Sequence, residues 1–184
     1  HFIRIAWAMT VLTLILPSAR GDTIGFFYAL DADLQGLKTQ AQYLGQATVG
    51  SRSIQRLQLG SHTIHAIKMG SGAVETAASA QALLGRTRCD WAFSLGPAGA
   101  LCDTVSTGTW YRVEQVKAWQ RGDANSSWNT DWTRFPVTNY PAPLQTTSTL
   151  FMAAGEQFIS TTGERDSLQA ATQADAVDMN SFGL

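Results

Sequence analysis

The sequence predicts an α/β fold: a three-layer α/β/α sandwich around a mixed, mostly parallel central sheet. Three observations predict it. "TIGFFYAL" (residues 23–30) and "CDWAFSLG" (89–96) are apolar runs without alternation, the mark of strands covered on both faces. The segments follow one another as strand, helix, hairpin, helix, strand, strand, loop, strand, helix, strand, and such alternation belongs to α/β architectures. The chain has 184 residues, 45% apolar and 15% charged, enough to bury one sizeable core.

Each element has a local reason. After the first strand, "DADLQGLKTQAQYL" (31–44) reads as a helix, with Asp31 as N-cap and Asp33 in the first turn, where negative charge suits the helix dipole. "RSIQRLQLG" and "HTIHAIKMG" read as two alternating strands joined at Gly60-Ser61. "SGAVETAASAQALLG" is an Ala-rich helix closed by Gly85. "TWYRVEQVKAW" (109–119) is a further strand, bent along its length, and "TSTLFMAAGEQFIST" (147–161) opens as another. "GERDSLQAATQ" (163–173) is a short helix and "ADAVDM" (174–179) a last strand. Residues 120–149 lack periodicity and read as a long loop, a length that compact domains keep for function or motion. Nothing in the pattern calls for a second domain or a repeat.

Charge and leader narrow the class. A net charge of -1, with no run of like charge, gives no electrostatic case for a nucleic-acid partner. Arg4, the apolar "IAWAMTVLTLIL" and "PSARGD" form a secretory signal pattern, with cleavage expected after Ala19. The apolar run is too short for a spanning helix of roughly 20 residues. The expected division is therefore a leader over 1–19 and one domain over 22–184, exported to the periplasm or beyond, with no stable membrane insertion once the leader is removed. Export permits a disulfide, but Cys89 and Cys102 are separated by a strand and a loop, and two buried free thiols are expected. His1, His62 and His65 form no metal-ligand grouping, so neither a metal nor a cofactor is expected.

In parallel α/β sheets, ligands sit beyond the carboxyl ends of the strands. The residues there are Asp31 and Asp33, Gly70-Ser71-Gly72, Gly96-Pro97-Ala98-Gly99, Gly155 to Ser160, and Met179-Asn180. Each has a bland reading alone. Gly-Ser-Gly before a helix makes an anion-friendly nest of amides, or an ordinary turn. Asp33 is a candidate general base, or a helix-end charge. Phe158 can stack on a ligand ring, or fill the core, and for a single Phe the core is the commoner fate.

Taken together, in order, "IGFFYALDADLQGL", "KMGSGAVETAAS", "DWAFSLGPAGAL" with "VSTGTWYRVEQV", "GEQFIS" and "AVDMNS" resemble the 5′-methylthioadenosine/S-adenosylhomocysteine nucleosidases of the purine nucleoside phosphorylase superfamily. The resemblance spans nearly all of 23–184. It implies cleavage of the N-glycosidic bond of a purine nucleoside, adenosine- or methylthioadenosine-like, with water as nucleophile. Asp33 stands where the family has a water-activating Glu, one methylene longer. Ser71 and Gly72 fall in the turn before the second helix, Ala98 and Gly99 would line the base, Phe158 would stack on it, and the Ile159 backbone would read its edge. Met179 would pack under the ribose, and Asn180 replaces the family's diol-binding Glu. An amide can both donate and accept, but lacks the charge that shortens such bonds. The family's purine-protonating Asp would fall on a strand beyond Leu184, and family members pair as homodimers or larger assemblies.

Two other functions fit the same residues. A phosphorylase would need cationic groups for phosphate, and neither the first turn nor the segment before "GPAG" carries an Arg, so water is favoured. A non-catalytic nucleoside-binding or storage protein would tolerate Asn180 and Pro97, with Trp119, Trp128 and Trp132 as a lid.

Overall fold

The computed structural model describes residues 21–119, 134–136 and 148–184. The leader expected over 1–19 and most of the 120–149 loop, with Trp128 and Trp132, lie outside these residues. In chain order the elements are β1 (Thr23–Tyr28), α1 (Asp31–Lys38), β2 (Gln42–Val49), β3 (Arg52–Leu59), β4 (His62–Lys68), α2 (Ala73–Leu84), β5 (Trp91–Leu95), β6 (Gly99–Ala100), β7 (Arg112–Ala118), β8 (Arg134–Pro136), β9 (Thr149–Ala154), α3 (Thr162–Thr172) and β10 (Ala176–Asp178), then a 3₁₀ turn at Ser181–Gly183.

The strands pair as two five-stranded sheets, ordered β2-β3-β4-β1-β5 and β6-β10-β9-β7-β8. In the first, β1 pairs in parallel with β4 and β5; in the second, β9 pairs in parallel with β7 and β10. The pairings β2–β3, β3–β4, β6–β10 and β7–β8 are antiparallel. The fold is thus a mixed α/β one, as the segment order predicts, with the parallel strands β4, β1 and β5 at one end of the first sheet and β10, β9 and β7 at the centre of the second.

The first sheet has a helix on each face because β1 is apolar on both. Ile24, Phe26 and Tyr28 pack with Leu34 and Leu37 of α1. Phe27 points the other way and packs with Leu83 of α2. Burying one such side chain fully is worth about 1.5–3 kcal/mol. In the second sheet, Val116, Leu150, Met152 and Ala176 make one cluster, and Ala153 packs with Leu168 of α3 on the other face. A reciprocal pair opens α3: Thr161 Oγ1 accepts from Glu164 N at 3.2 Å and Glu164 Oε2 accepts from Thr161 N at 3.0 Å.

Several expectations need correction. The helix expected over 31–44 ends at Lys38, and Gln42–Val49 is a strand instead. That strand completes a meander outside β3, where most side chains are exposed and show no apolar stripe; pairing overrides the helical propensity of the segment. Leu30, not Asp31, is the N-cap of α1. β5 is not covered on both faces: it ends its sheet, and Ala92 and Ser94 are exposed. Cys89 and Cys102 are free, but only partly buried. The 120–149 loop contains the short β8, paired with β7, and β7 is bent by a register shift between Val113 and Gln115.

Candidate functional site

The loops after β1, β4, β9 and β10 all leave the carboxyl ends of parallel strands, and their atoms meet. The Asn180 amide Nδ2 donates to Gly70 O at 2.9 Å, linking the end of β10 to the end of β4. The Glu156 carboxylate, two residues beyond β9, accepts from Ala73 N at 2.7 Å, linking β9 to the first turn of α2. A Cβ placed on Gly96 would lie 3.3 Å from Ala29 Cβ, so the end of β5 packs on the turn after β1. Gly155 N donates to Asp178 O at 3.1 Å. One rim of the molecule is therefore assembled from five segments distant in sequence.

Asp33 occupies the third position of α1, and its Oδ2 accepts from Leu30 N at 2.8 Å. The side chain is half-buried. Burial pushes its carboxyl above the ordinary Asp range, against the lowering pull of the Leu30 and Ala29 backbone. A carboxylate lifted in this way binds a proton more readily and is a stronger base than a solvated one. Asp31 is spent elsewhere, in a surface ion pair 2.9 Å from the Lys68 ammonium.

The Gly-Ser-Gly turn is formed as a helix opening, but it is filled. Gly72 has φ 88, a left-handed value that suits glycine, and a Cβ there would collide with the Glu156 carboxylate. The nest expected to welcome a ligand anion already holds the chain's own. Ser71 is exposed beside it.

Asn180 is 8% exposed. Its bond to Gly70 uses one amide proton, which leaves Oδ1 and one N–H for a ligand. Met179 is half-buried. Asp178 closes the 3₁₀ turn, taking Ser181 N at 3.1 Å on Oδ2, and burial lifts its carboxyl in spite of the hydrogen bonds from Ser181 and the Asn180 backbone.

The remaining predicted contacts divide. Gly99 and Ile159 line a shared cavity of about 240 Å³, together with Val177, Ser160, Thr161 and Arg165. Ala98 is exposed next to Gly99, and Phe158 is 74% exposed. Asp33, Ser71, Ala98, Phe158, Met179 and Asn180 do not line that cavity. Trp119, which the non-catalytic reading would place in a lid, is packed on Gly155, where a Cβ would strike its indole ring. Among the described residues no group of His, Cys, Asp and Glu is arranged to hold a metal, and no helix is long and apolar enough to cross a membrane. Sequence reasoning missed Glu156. The signal available was its place next to Gly155 at a strand end, the position at which a carboxylate reaches a neighbouring helix N-terminus.

No protein-family model matches the chain, and no curated protein sequence does. Solved structures match it well in shape. The 5′-methylthioadenosine/S-adenosylhomocysteine nucleosidase of Neisseria meningitidis, in complex with methylthio-immucillin-A, superposes with a TM-score of 0.74 at 14% identity, covering 88% of this chain and 77% of that one. The corresponding nucleosidase of Campylobacter jejuni gives 0.73 at 15% identity, over 89% and 77%. A futalosine hydrolase mutant of Helicobacter pylori gives 0.69 at 15% identity, over 90% and 83%. At such identities the likeness is one of architecture: the chain is similar to the nucleosidases in fold over most of its length.

Proposed function

We propose that the protein hydrolyses the N-glycosidic bond of a purine nucleoside. The observation that carries this reading is the rim itself: Asn180 on Gly70, Glu156 on Ala73, and a half-buried Asp33 with a raised carboxyl on the adjoining turn. Asp33 would take a proton from water as its oxygen bonds to the anomeric carbon. The carbon–nitrogen bond breaks, its electron pair goes to the base, the base nitrogen takes a proton from solvent water, and Asp33 gives the proton it took back to solvent, so the step is proton-neutral overall. Positive charge grows on the sugar in this step, and a rim carrying Asp33 and the Asn180 carbonyl oxygen is suited to stabilise it. Phe158, exposed beyond β9, offers a ring face for stacking, and Gly99 and Ile159 flank the cavity beside it.

Water is favoured over phosphate by the Glu156 carboxylate, which fills the Gly-Ser-Gly turn and would repel a second anion there. The test is release of free base from adenosine, inosine and methylthioadenosine by the full-length protein, with and without phosphate. Release without phosphate is expected, and Asp33→Asn is expected to lower turnover by about 10²–10⁴-fold, the usual worth of a positioned general base, while ligand binding persists. Turnover unchanged in that variant would remove Asp33 from the reaction; release that requires phosphate would reassign the protein to phosphorolysis.

A further inference from the structure

We infer that Glu164 is a positioning residue for ligand binding: one of its carboxylate oxygens gathers Ser160 and Thr161 and so fixes the turn through which Ile159 lines the cavity. The inference rests on the nucleosidase reading, which puts the base against Ile159, and adds to it a residue that touches no ligand. The cavity has two unlike walls. Gly99, Ala100 and Val177 belong to β6 and β10, which are tied to each other by strand pairing. Ile159, Ser160, Thr161 and Thr162 belong to the turn that enters α3. A strand ladder fastens the first wall, and the second needs another fastening.

Glu164 supplies it. Its Oε2 accepts from Ser160 N at 3.0 Å, Ser160 Oγ at 3.2 Å, Thr161 N at 3.0 Å and Thr161 Oγ1 at 3.0 Å. A capping box asks only for the amide of the N-cap residue, here Thr161. Ser160 stands one residue earlier, so its amide and hydroxyl bonds go beyond what the start of α3 requires. The Ser160 and Thr161 amides hold the Glu164 carboxyl below the ordinary Glu range, which keeps it charged at neutral pH. Hydrogen bonds to a charged acceptor are shorter and stronger than neutral ones. Upstream, the Glu156 carboxylate accepts from Ala73 N at 2.7 Å. Gln157, Phe158 and Ile159 therefore span the gap between two carboxylates, each bound to backbone amide at a helix start. Glu164 itself does not line the cavity and acts through its neighbours. A wall fixed before the ligand arrives spares the cost of ordering it on binding.

Steady-state hydrolysis of adenosine and inosine by the full-length protein, with residue-resolved amide hydrogen exchange, tests the role. Glu164→Ala is expected to raise KM at least about tenfold, the factor that one hydrogen bond to a charged group represents, with kcat held within about twofold. Exchange at the Ser160 and Thr161 amides should quicken in the same variant. Glu164→Gln keeps an uncharged acceptor and should raise KM by only about two- to threefold, which carries the test if thermal melting shows Glu164→Ala to be unfolded. Thr172→Val is the control for α3 itself. It removes the hydroxyl that accepts from Ala174 N at the far end of the helix, and should lower the melting temperature without moving KM. A wild-type KM in the folded Glu164 variants, a loss confined to kcat, an equal rise in Thr172→Val, or unaltered exchange at Ser160 and Thr161 would overturn the inference. Hydrolysis with a KM indifferent to Glu164 removes only the positioning role. If the wild type cleaves neither nucleoside, calorimetric binding of adenine replaces KM. An affinity that falls in Glu164→Ala then removes the nucleosidase and keeps the positioning role, whereas an affinity unchanged, or absent in the wild type, removes both.

Discussion

Phe27 in β1 and Phe158 beyond β9 are the same residue in opposite circumstances: 0% against 74% exposed. Phe27 lies in the middle of a strand whose two faces are both sealed by helices, and its neighbours Ile54, Ile67 and Leu83 hold it on one side of the sheet. Phe158 lies four residues past the last residue of β9, on a loop whose fixed points are Gly155, against Trp119 and Asp178, and Glu156, against α2. The interior of the first sheet is stable because it has no spare surface. The strand-end rim keeps spare surface because its backbone is anchored by a few polar bonds instead. A large apolar side chain can stay exposed there only if neighbouring residues, not the side chain itself, hold the loop.

The largest effects should fall on the two phenylalanines, and in different measurements. Phe27→Ala is expected to lower unfolding free energy by about 3–5 kcal/mol, read as a fall in denaturant midpoint. Phe158→Ala is expected to change stability by no more than about 0.5 kcal/mol. The same variant should weaken purine binding by about 1–3 kcal/mol, the usual worth of base–aromatic stacking. If Phe158→Ala destabilised the chain as Phe27→Ala does, the two regions would not differ in kind and Phe158 would be a core residue.

That contrast also explains what the sequence disclosed. β1, α2 and α3 were legible because their composition and periodicity are set by burial and capping within ten or so residues. Asp33, the Gly-Ser-Gly turn and the Gly99–Ile159 pair were legible as positions at strand ends, and as a resemblance, without showing which atoms meet. β2 was hidden because its evidence lies in its partner β3, and its own side chains are mostly exposed. Half-burial of β5 depends on its being last in its sheet, a fact of topology that its apolar sequence contradicts. The meeting of Glu156 with α2, and of Asn180 with Gly70, spans 83 and 110 positions, beyond any local pattern.

The anchoring of the rim can be broken at one backbone position. Gly72 has φ 88 and no room for a Cβ, because the Glu156 carboxylate is there. Gly72→Ala should therefore both strain the turn and push Glu156 off Ala73 N, at a combined cost of about 1–3 kcal/mol. Gly163, in the first turn of α3, has open space around it and an ordinary helical setting, so Gly163→Ala is the matched control and should be neutral or slightly stabilising. Equal midpoints for the two variants in denaturant unfolding would show that Glu156 does not fasten the loop.

The smallest effect sharpens the comparison through pH. Asp178 sits under the rim with its carboxyl lifted above the ordinary Asp value by burial, against the pull of the Ser181 and Asn180 hydrogen bonds. A carboxyl raised in the folded state holds its proton better there than in the unfolded chain. Its contribution to stability is therefore fully present below the unfolded pKa, near 3.9 in model peptides, and is lost as pH rises through the folded value. In Asp178→Asn that loss cannot occur, although the Asn oxygen can still accept from Ser181. The stability of wild type relative to Asp178→Asn should fall as pH rises above about 4, as measured by denaturant unfolding of both chains over a pH series. The sign decides the matter: a relative stability that rises with pH would mean that the Ser181 and Asn180 bonds outweigh burial, and that the rim stabilises a charge at Asp178 where the first sheet's interior admits none.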